Sequence, residues 1–285
     1  MQVLIAGGSG FIGRALQHHL NAQNIETRVL TRNASKPYHI AWSPKDKSCD
    51  LEQLSKTTHL VNLTGAGIAD QRWTQRRKKE LLASRVDTAT LLHSLVQQSG
   101  ATLQGYVGVS GVNAFGFSAE KVFNETDDFG QDFLSSVVQQ WESAHRLFES
   151  IPCFTILRLG MVLSPEGGAY AKIAKPIKLG FGAVPGKGSQ LVPWIHLNDV
   201  VKIIHQTLET PLGLVHGVAQ NSTMKEITQA IAHREQRTLY LPNIPTIIVR
   251  LIFGEMGKLL TESLSVSNTK LLASFKPNHL QLSNL

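Results

Sequence analysis

Cysteine is scarce in this 285-residue chain: only Cys49 and Cys153 occur, far apart. Two such residues make neither a disulfide scaffold nor a Cys-rich zinc site, and the reading that follows is a reducing, cytoplasmic compartment. Long apolar runs are also absent. The most apolar stretch, Ile244 to Phe253, carries Pro245 and Arg250 and falls well short of the ~20 residues of a membrane span. It reads as a buried or partner-facing helix, and no membrane association is expected. The opening MQVLIAGGSGFIG has no basic segment and its apolar run stops at Gly7, so no signal peptide is expected. There is no G-x-S-x-G elbow for a hydrolase. His18 and His19 are adjacent and point to different sides of a helix, which makes a poor metal pair. No internal repeat is evident. Of the two signs of charge, the acidic one is scarcer. Against 28 Lys+Arg there are 21 Asp+Glu, a net +7, which favours anionic partners. With 42% apolar residues, the bulk of the chain has a core to build and is not expected to be disordered.

What is present is an alternation. Val3-Leu4-Ile5-Ala6 reads as a buried parallel strand, Phe11–Gln23 as a helix with Phe11, Ile12, Ala15, Leu16 and Leu20 at helical spacing, and Thr27–Thr31 as a second strand. Further strands are predicted at His39–Trp42, His59–Leu63, Gly105–Val109 and Phe154–Arg158, with helices at about Thr74–Ser99 and Phe133–Glu149. This rhythm predicts an α/β fold, a Rossmann doubly wound parallel sheet. From Gly160 to Gly188 the chain is rich in glycine and proline and reads as loop. Pro193–His196 and Leu197–Leu208 read as a strand and a helix. The expected division is a nucleotide-binding unit over 1–160, with 191–218 returning to it, and a small, partly interleaved C-terminal substrate lobe over 161–190 and 219–285.

The strongest motif is Gly7-Gly8-Ser9-Gly10-Phe11-Ile12-Gly13, placed directly after the first strand and opening the first helix. Gly7 permits the tight turn, Gly10 lets the backbone approach a pyrophosphate, and Gly13 lets the helix pack against the strand. The helix N-terminus then offers free N–H groups and partial positive charge to phosphates. An NAD site normally ends its second strand with an acidic residue for the ribose 2′-hydroxyl. Here that end reads Leu30-Thr31-Arg32-Asn33. Arg32 is placed to meet a 2′-phosphate, so NADP(H) is the expected cofactor.

Ala6–Gly13 resembles the N-terminal signature of the extended short-chain dehydrogenase/reductases, and Asn62-Leu63-Thr64-Gly65 is similar to that family's loop along the cofactor. Three further stretches narrow the resemblance: Ile68–Thr74, Ser84-Arg85-Val86, and Gly186–Gln190 followed by Pro193–Asp199. Together they look like an atypical branch, the NAD(P)-dependent nucleotide-sugar epimerases of the NAD-dependent epimerase/dehydratase family, some of which carry a cell-division-inhibitor label. The resemblance covers essentially the whole chain. It implies Ser9, Phe11, Ile12, Thr31, Leu63, Thr64 and Gly65 beside Gly7, Gly10, Gly13 and Arg32 as cofactor contacts. It implies an anionic small molecule, such as a nucleotide sugar, as substrate, and a homodimer built on the two long helices.

The family's reactive group is a Ser/Thr, a Tyr and a Lys, the last two spaced Y-x-x-x-K on one helix face. No Y-x-x-x-K occurs here. Anchored on Glu142, the Tyr position falls on Leu134 and the Lys position on Val138. Counting back from Gly116 puts Gly111 at the reactive strand-end position, and a one-residue slip restores Ser110. If chemistry occurs, Ser110, Asn113, Glu125, Arg72 and His196 are the candidates for a proton relay; Ser110 reads equally as a hydroxyl satisfying backbone, Glu125 as a turn carboxylate, and His196 as a structural histidine packed in a strand. Arg72 and Trp73 either clamp an anion and stack on a ring, or cap the next helix and pack on the sheet. Arg158, Lys187 and Gln190 enter as substrate contacts through the resemblance alone. The basic run Gln71–Lys79 reads as a solvated helix face and not as a nucleic-acid site. Two functional readings follow: an NADP(H)-dependent epimerase or oxidoreductase with a non-standard relay, or an NADP(H)-binding sensor acting through a protein partner. The second draws on Leu134 and Val138, taken as apolar surface.

Overall fold

The computed structural model describes residues 1–285, the side chain of Asn284 apart. The chain begins β1 (Gln2–Ala6), α1 (Phe11–Ala22), β2 (Glu26–Thr31), β3 (His39–Ser43), β4 (Ser48–Cys49), α2 (Leu51–Ser55), β5 (His59–Asn62), α3 (Gln75–Ser99), β6 (Gly105–Gly111), β7 (Val122–Phe123), α4 (Phe133–His145) and β8 (Cys153–Leu159). It continues β9 (Met161–Ser164), α5 (Gly168–Lys178), β10 (Leu191–His196), α6 (Leu197–Thr207), β11 (Gly213–Gly217), β12 (Gln220–Thr223), α7 (Met224–Arg234), α8 (Thr246–Phe253), α9 (Lys258–Thr261), β13 (Ser265–Val266) and α10 (Thr269–Leu272).

The large sheet has strand order β11-β8-β6-β5-β1-β2-β3-β4. Every neighbouring pair is parallel except the β3–β4 hairpin. The central strands are apolar on both faces because helices cover both. Successive side chains of β1 point to opposite faces. Val3 and Ile5 pack with Leu16 and Leu20 of α1 and Val200, Ile203 and Ile204 of α6. Leu4 and Ala6 pack with Leu54 of α2 and Leu92, Leu95 and Val96 of α3. This is the doubly wound α/β fold read from the sequence.

A second, three-stranded sheet of order β12-β10-β9 forms beside it. Tyr170 and Ile177 of α5, Trp194 of β10, and Met224, Ile227 and Ile231 of α7 share its core. Of the stretch 191–218, α6 and β11 lie on the large sheet while β10 lies in the small one. The stretch from Gly160 to Gly188, expected as loop, holds β9 and α5 instead. Its glycines sit at the ends: Gly167 precedes α5 and Gly168 opens it with φ +62°. Pro176 falls in the last turn, where its missing N–H costs one bond and the helix ends soon after. The apolar face of Tyr170, Ala174 and Ile177 decides the outcome, since burial outweighs weak local propensity. No described helix is long and apolar enough to cross a membrane.

Candidate functional site

The register sets the site. Ala6 lies beside Leu30 on one side and Asn62 on the other, so the ends of β1, β2 and β5 open at one level. The turn after β1 requires Gly7, whose φ is +83° and whose missing Cβ would stand 2.7 Å from the Leu63 carbonyl oxygen. A Cβ on Gly13 would meet the Gly7 oxygen at 2.5 Å and the Gly8 Cα at 2.6 Å, so this glycine lets α1 close onto the turn. The N-terminus of α1 has no side-chain cap and no acid in its first turn. By contrast α2, α3, α4 and α7 are capped by Asp50, Thr74, Asp132 and Thr223. The first-turn N–H groups of α1 therefore remain available to an outside anion.

A groove of about 1370 Å³ begins there, lined by Gly7, Ser9, Gly10, Thr31, Arg32, Leu63, Thr64 and Gly65. The resemblance named these residues, and the fold brings them together. Phe11, Ile12 and Gly13 do not line this groove. Phe11 turns toward the Gly167–Gly168 backbone at the start of α5 and lines a smaller cavity with Arg14, His18 and Lys202. Arg32 is exposed, and among the described residues it has no carboxylate partner. Asn62 shapes the far wall: its Oδ1 accepts from the Thr64 N–H at 3.1 Å and the Thr64 hydroxyl at 2.6 Å. The uncapped helix, the close glycine backbone and the exposed Arg32 just past β2 fit a dinucleotide with a 2′-phosphate. When bound, such a group supplies a hydride donor or acceptor.

Two staples that the charge pattern hid hold the loop after β5. Arg85 donates to the carbonyls of Ala66 at 2.9 Å and Leu81 at 3.0 Å, and its guanidinium lies 4.9 Å from the Trp141 ring centroid. Arg77 donates to the Gly67 carbonyl at 2.5 Å and pairs with Glu80. Both are buried, so Arg77 is an interior member of the run Gln71–Lys79 expected as a solvated face. The signal was available: Arg77, Leu81, Arg85 and Ala89 recur every four residues on one stripe. Burial, reinforced by the charge of Arg77, lowers the Arg85 pKa to about 10. From this loop Trp73 donates to the Ile68 carbonyl at 2.9 Å and packs edge-on against Phe133. Arg72 lies exposed beside Gly254, and Thr74, not Arg72 or Trp73, caps α3.

The strand ends on the other side carry a buried polar cluster. Ser110, Arg158 and His216 stand in register on β6, β8 and β11. The Ser110 hydroxyl donates to Glu142 Oε1 at 2.8 Å. Arg158 donates to both Glu142 oxygens and to the Glu125 carbonyl. Its guanidinium is flanked by the rings of Phe115 and Phe129, at 5.0 and 5.3 Å. Arg158 therefore faces a buried carboxylate and not a substrate cleft, because only an ion pair with added hydrogen bonds makes its charge tolerable there. Glu125 Oε1 accepts from the His216 backbone N–H at 3.0 Å, tying its loop to β11. His216 donates through Nδ1 to the Ser267 carbonyl, and its pKa is lowered, chiefly by burial. The Asn113 side chain is half-buried and makes no hydrogen bond among the described residues.

Leu134 and Val138 are 2% and 4% exposed. They are packed core and not surface, which corrects their use as a sign of a partner face. Gln190 is also buried, donating to the carbonyls of Pro185 and Leu260, whereas Lys187 is exposed. His196, set in β10, caps α6 by accepting the Asn198 N–H on Nδ1 and stacks on His279 at 3.9 Å. Burial, with the His279 ring beside it, lowers its pKa to about 4. Groove residues that carry no signal in the sequence include His39, Trp42, Pro44, Lys45 and Lys47 of the β3–β4 hairpin and Ala83, Asp87, Thr88 and Ser94 of α3.

Residues 3–221 match the model of the NAD dependent epimerase/dehydratase family. The chain is 34% identical over 285 residues to the epimerase family protein SDR39U1 of Mus musculus, covering 96% of this chain and 94% of that protein. It is 31% identical over 283 residues to the chloroplastic SDR39U1 homolog of Arabidopsis thaliana, covering 93% and 80%. Among solved structures, the human epimerase family protein SDR39U1 with NADPH superposes with a TM-score of 0.87 at 30% identity, over 99% of this chain and 97% of that one. The UDP-glucose 4-epimerase of Thermotoga maritima with UDP-glucose superposes at 0.76 with 16% identity, over 99% and 96%, a likeness of fold. Family model, relatives and site geometry agree: this chain belongs to the NAD dependent epimerase/dehydratase family.

Proposed function

We propose that this chain binds NADP(H) in the groove at the ends of β1, β2 and β5 and acts as an epimerase or oxidoreductase on an anionic small molecule of the nucleotide-sugar class. The observation that carries the reading is Arg32, exposed at the end of β2 where an NAD site would place a carboxylate, in one groove with the uncapped glycine turn. The NADPH of the human SDR39U1 structure and the UDP-glucose of the Thermotoga epimerase support cofactor and substrate class. In this reading residues 1–160 carry the cofactor, the small sheet and its helices carry the substrate, and the protein works in the cytoplasm. With leucine and valine where the usual Tyr and Lys stand, a proton must be held elsewhere. The side chains of Asn113, Arg72 and Lys187, which make no hydrogen bond or ion pair among the described residues, are available to orient a substrate. Ser110 and Glu125 are engaged in structural bonds. A sensor working through a protein partner is the second reading. It is favoured by α8, where Ile247 and Leu251 are each 77% exposed.

Titration with NADPH and NADH, followed by cofactor fluorescence, tests the reading. NADPH is expected to bind more tightly, and Arg32→Ala to erase a preference of about 10- to 100-fold, the worth of hydrogen bonds to a charged group. Absence of binding by either nucleotide overturns both the enzyme and the sensor.

A further inference from the structure

We propose that the β3–β4 hairpin is a second cationic arm of the groove, with Lys45 and Lys47 gripping the ribose 2′-phosphate opposite Arg32. The inference rests on the NADP(H) reading and adds two selectivity residues to it. Thr31, the last residue of β2, lies beside Ala41 of β3, and β3 runs on to Ser43, so the hairpin projects past the strand end that carries Arg32. Both lysines line the same groove as Arg32. All three are exposed, and none has an ion pair or side-chain hydrogen bond among the described residues.

The hairpin is built to leave those charges free. Trp42 pairs with Cys49 and Ser43 with Ser48. The turn's own carboxylate, Asp46, is drawn back by the Ser43 hydroxyl, which donates to it at 2.6 Å, and the Asp46 N–H returns a bond to Ser43 Oγ. The next carboxylate, Asp50, is spent capping α2. Lys47 holds φ +52°, a conformation uncommon for a lysine and a cost the turn sustains. The acids that do line the groove, Glu80 and Asp87, are on α3, and Glu80 pairs with Arg77.

The ligand's chemistry asks for more than one cation. A phosphate monoester carries nearly two negative charges and three acceptor oxygens. One guanidinium fork engages two of those oxygens. Lysines, as compact point charges on flexible stems, suit the remaining oxygen and charge.

Calorimetric titration with 2′,5′-ADP and with ADP separates the 2′-phosphate from the rest of the nucleotide. The test variant is Lys45→Ala with Lys47→Asn, because asparagine tolerates the left-handed backbone that alanine would strain. Lys36→Ala serves as a control, a cation of the preceding loop that does not line the groove. The expected result is a loss of about tenfold in 2′,5′-ADP affinity for the double variant, with ADP unchanged and the control like wild type. Unchanged 2′,5′-ADP affinity overturns the arm while leaving the NADP(H) reading intact. An equal loss for ADP also overturns it, since the lysines would then attract any phosphate. If wild type binds neither nucleotide, the NADP(H) reading falls and the arm with it.

Discussion

Glu142 holds Arg158 through both carboxylate oxygens, at 2.7 and 2.8 Å, with neither side chain more than 3% exposed. The pair ties α4 to β8, and the Ser110 hydroxyl completes it from β6. Replacing one member leaves the other charge buried without its counterion, which typically costs about 3–5 kcal/mol. Glu142→Gln is expected to lower the free energy of unfolding in urea by that amount. A change below about 1 kcal/mol would show that the buried pair is not holding these elements together.

Grafting the family's usual pair back onto α4 is expected to fail. Val138 packs with Val112, Ala114, Phe115 and Val218, so Val138→Lys puts an ammonium among apolar side chains, one turn from a Glu142 carboxylate already held by Arg158 and Ser110. Destabilisation of about 3 kcal/mol or more is expected, read as a drop in Tm and loss of soluble protein. A stable Leu134→Tyr/Val138→Lys variant with new turnover would show that the helix face opens to the cofactor.

His145 makes the fold acid-sensitive. Its Nδ1 accepts from the Tyr106 hydroxyl at 2.6 Å and its Nε2 donates to the Val109 carbonyl at 3.2 Å, so the ring is neutral with the proton on Nε2. Complete burial lowers its pKa to about 4. The unfolded chain takes up this proton near pH 6.5 and the native protein only near 4, so the His145 contribution to stability is flat above 6.5 and falls as pH drops below it. About 2 kcal/mol of His145-linked stability is expected to be gone by pH 5. Urea unfolding at pH 7 and pH 5 measures it, with His145→Gln expected to reduce the difference by that amount. An unaltered difference would mean that His145 is not the group taking up the proton.

Local geometry explains what could be read in advance. Gly7 and Gly13 are dictated by a turn that side chains cannot enter, so the glycine spacing reveals the turn. Arg32 is legible because its place at the end of β2 follows from that turn. The Glu142–Arg158 pair was not legible, since two residues 16 apart on different elements meet only once the fold is made. Arg77 is obscured by the charged residues around it, although its four-residue spacing to Leu81 and Arg85 matches the buried stripe. The helix α5 is hard to read because its flanking glycines and Pro176 signal loop while its apolar face, Tyr170, Ala174 and Ile177, is short. Lys45 and Lys47 sit in a turn, where no periodicity marks which side faces the groove.

The path of the chain between the two sheets has a practical consequence. After β8 it crosses to the small sheet for β9 and β10, returns for α6 and β11, and leaves again for β12 and α7. No single cut yields either half intact. Truncation at residue 160 would strip α6 from Leu16 and Leu20 of α1 and leave β8 with a bare edge where β11 had paired, exposing an apolar face and unpaired backbone together. Fragments made by shortening the gene are therefore predisposed to aggregate, and the two halves of the molecule must be studied, mutated and evolved as one.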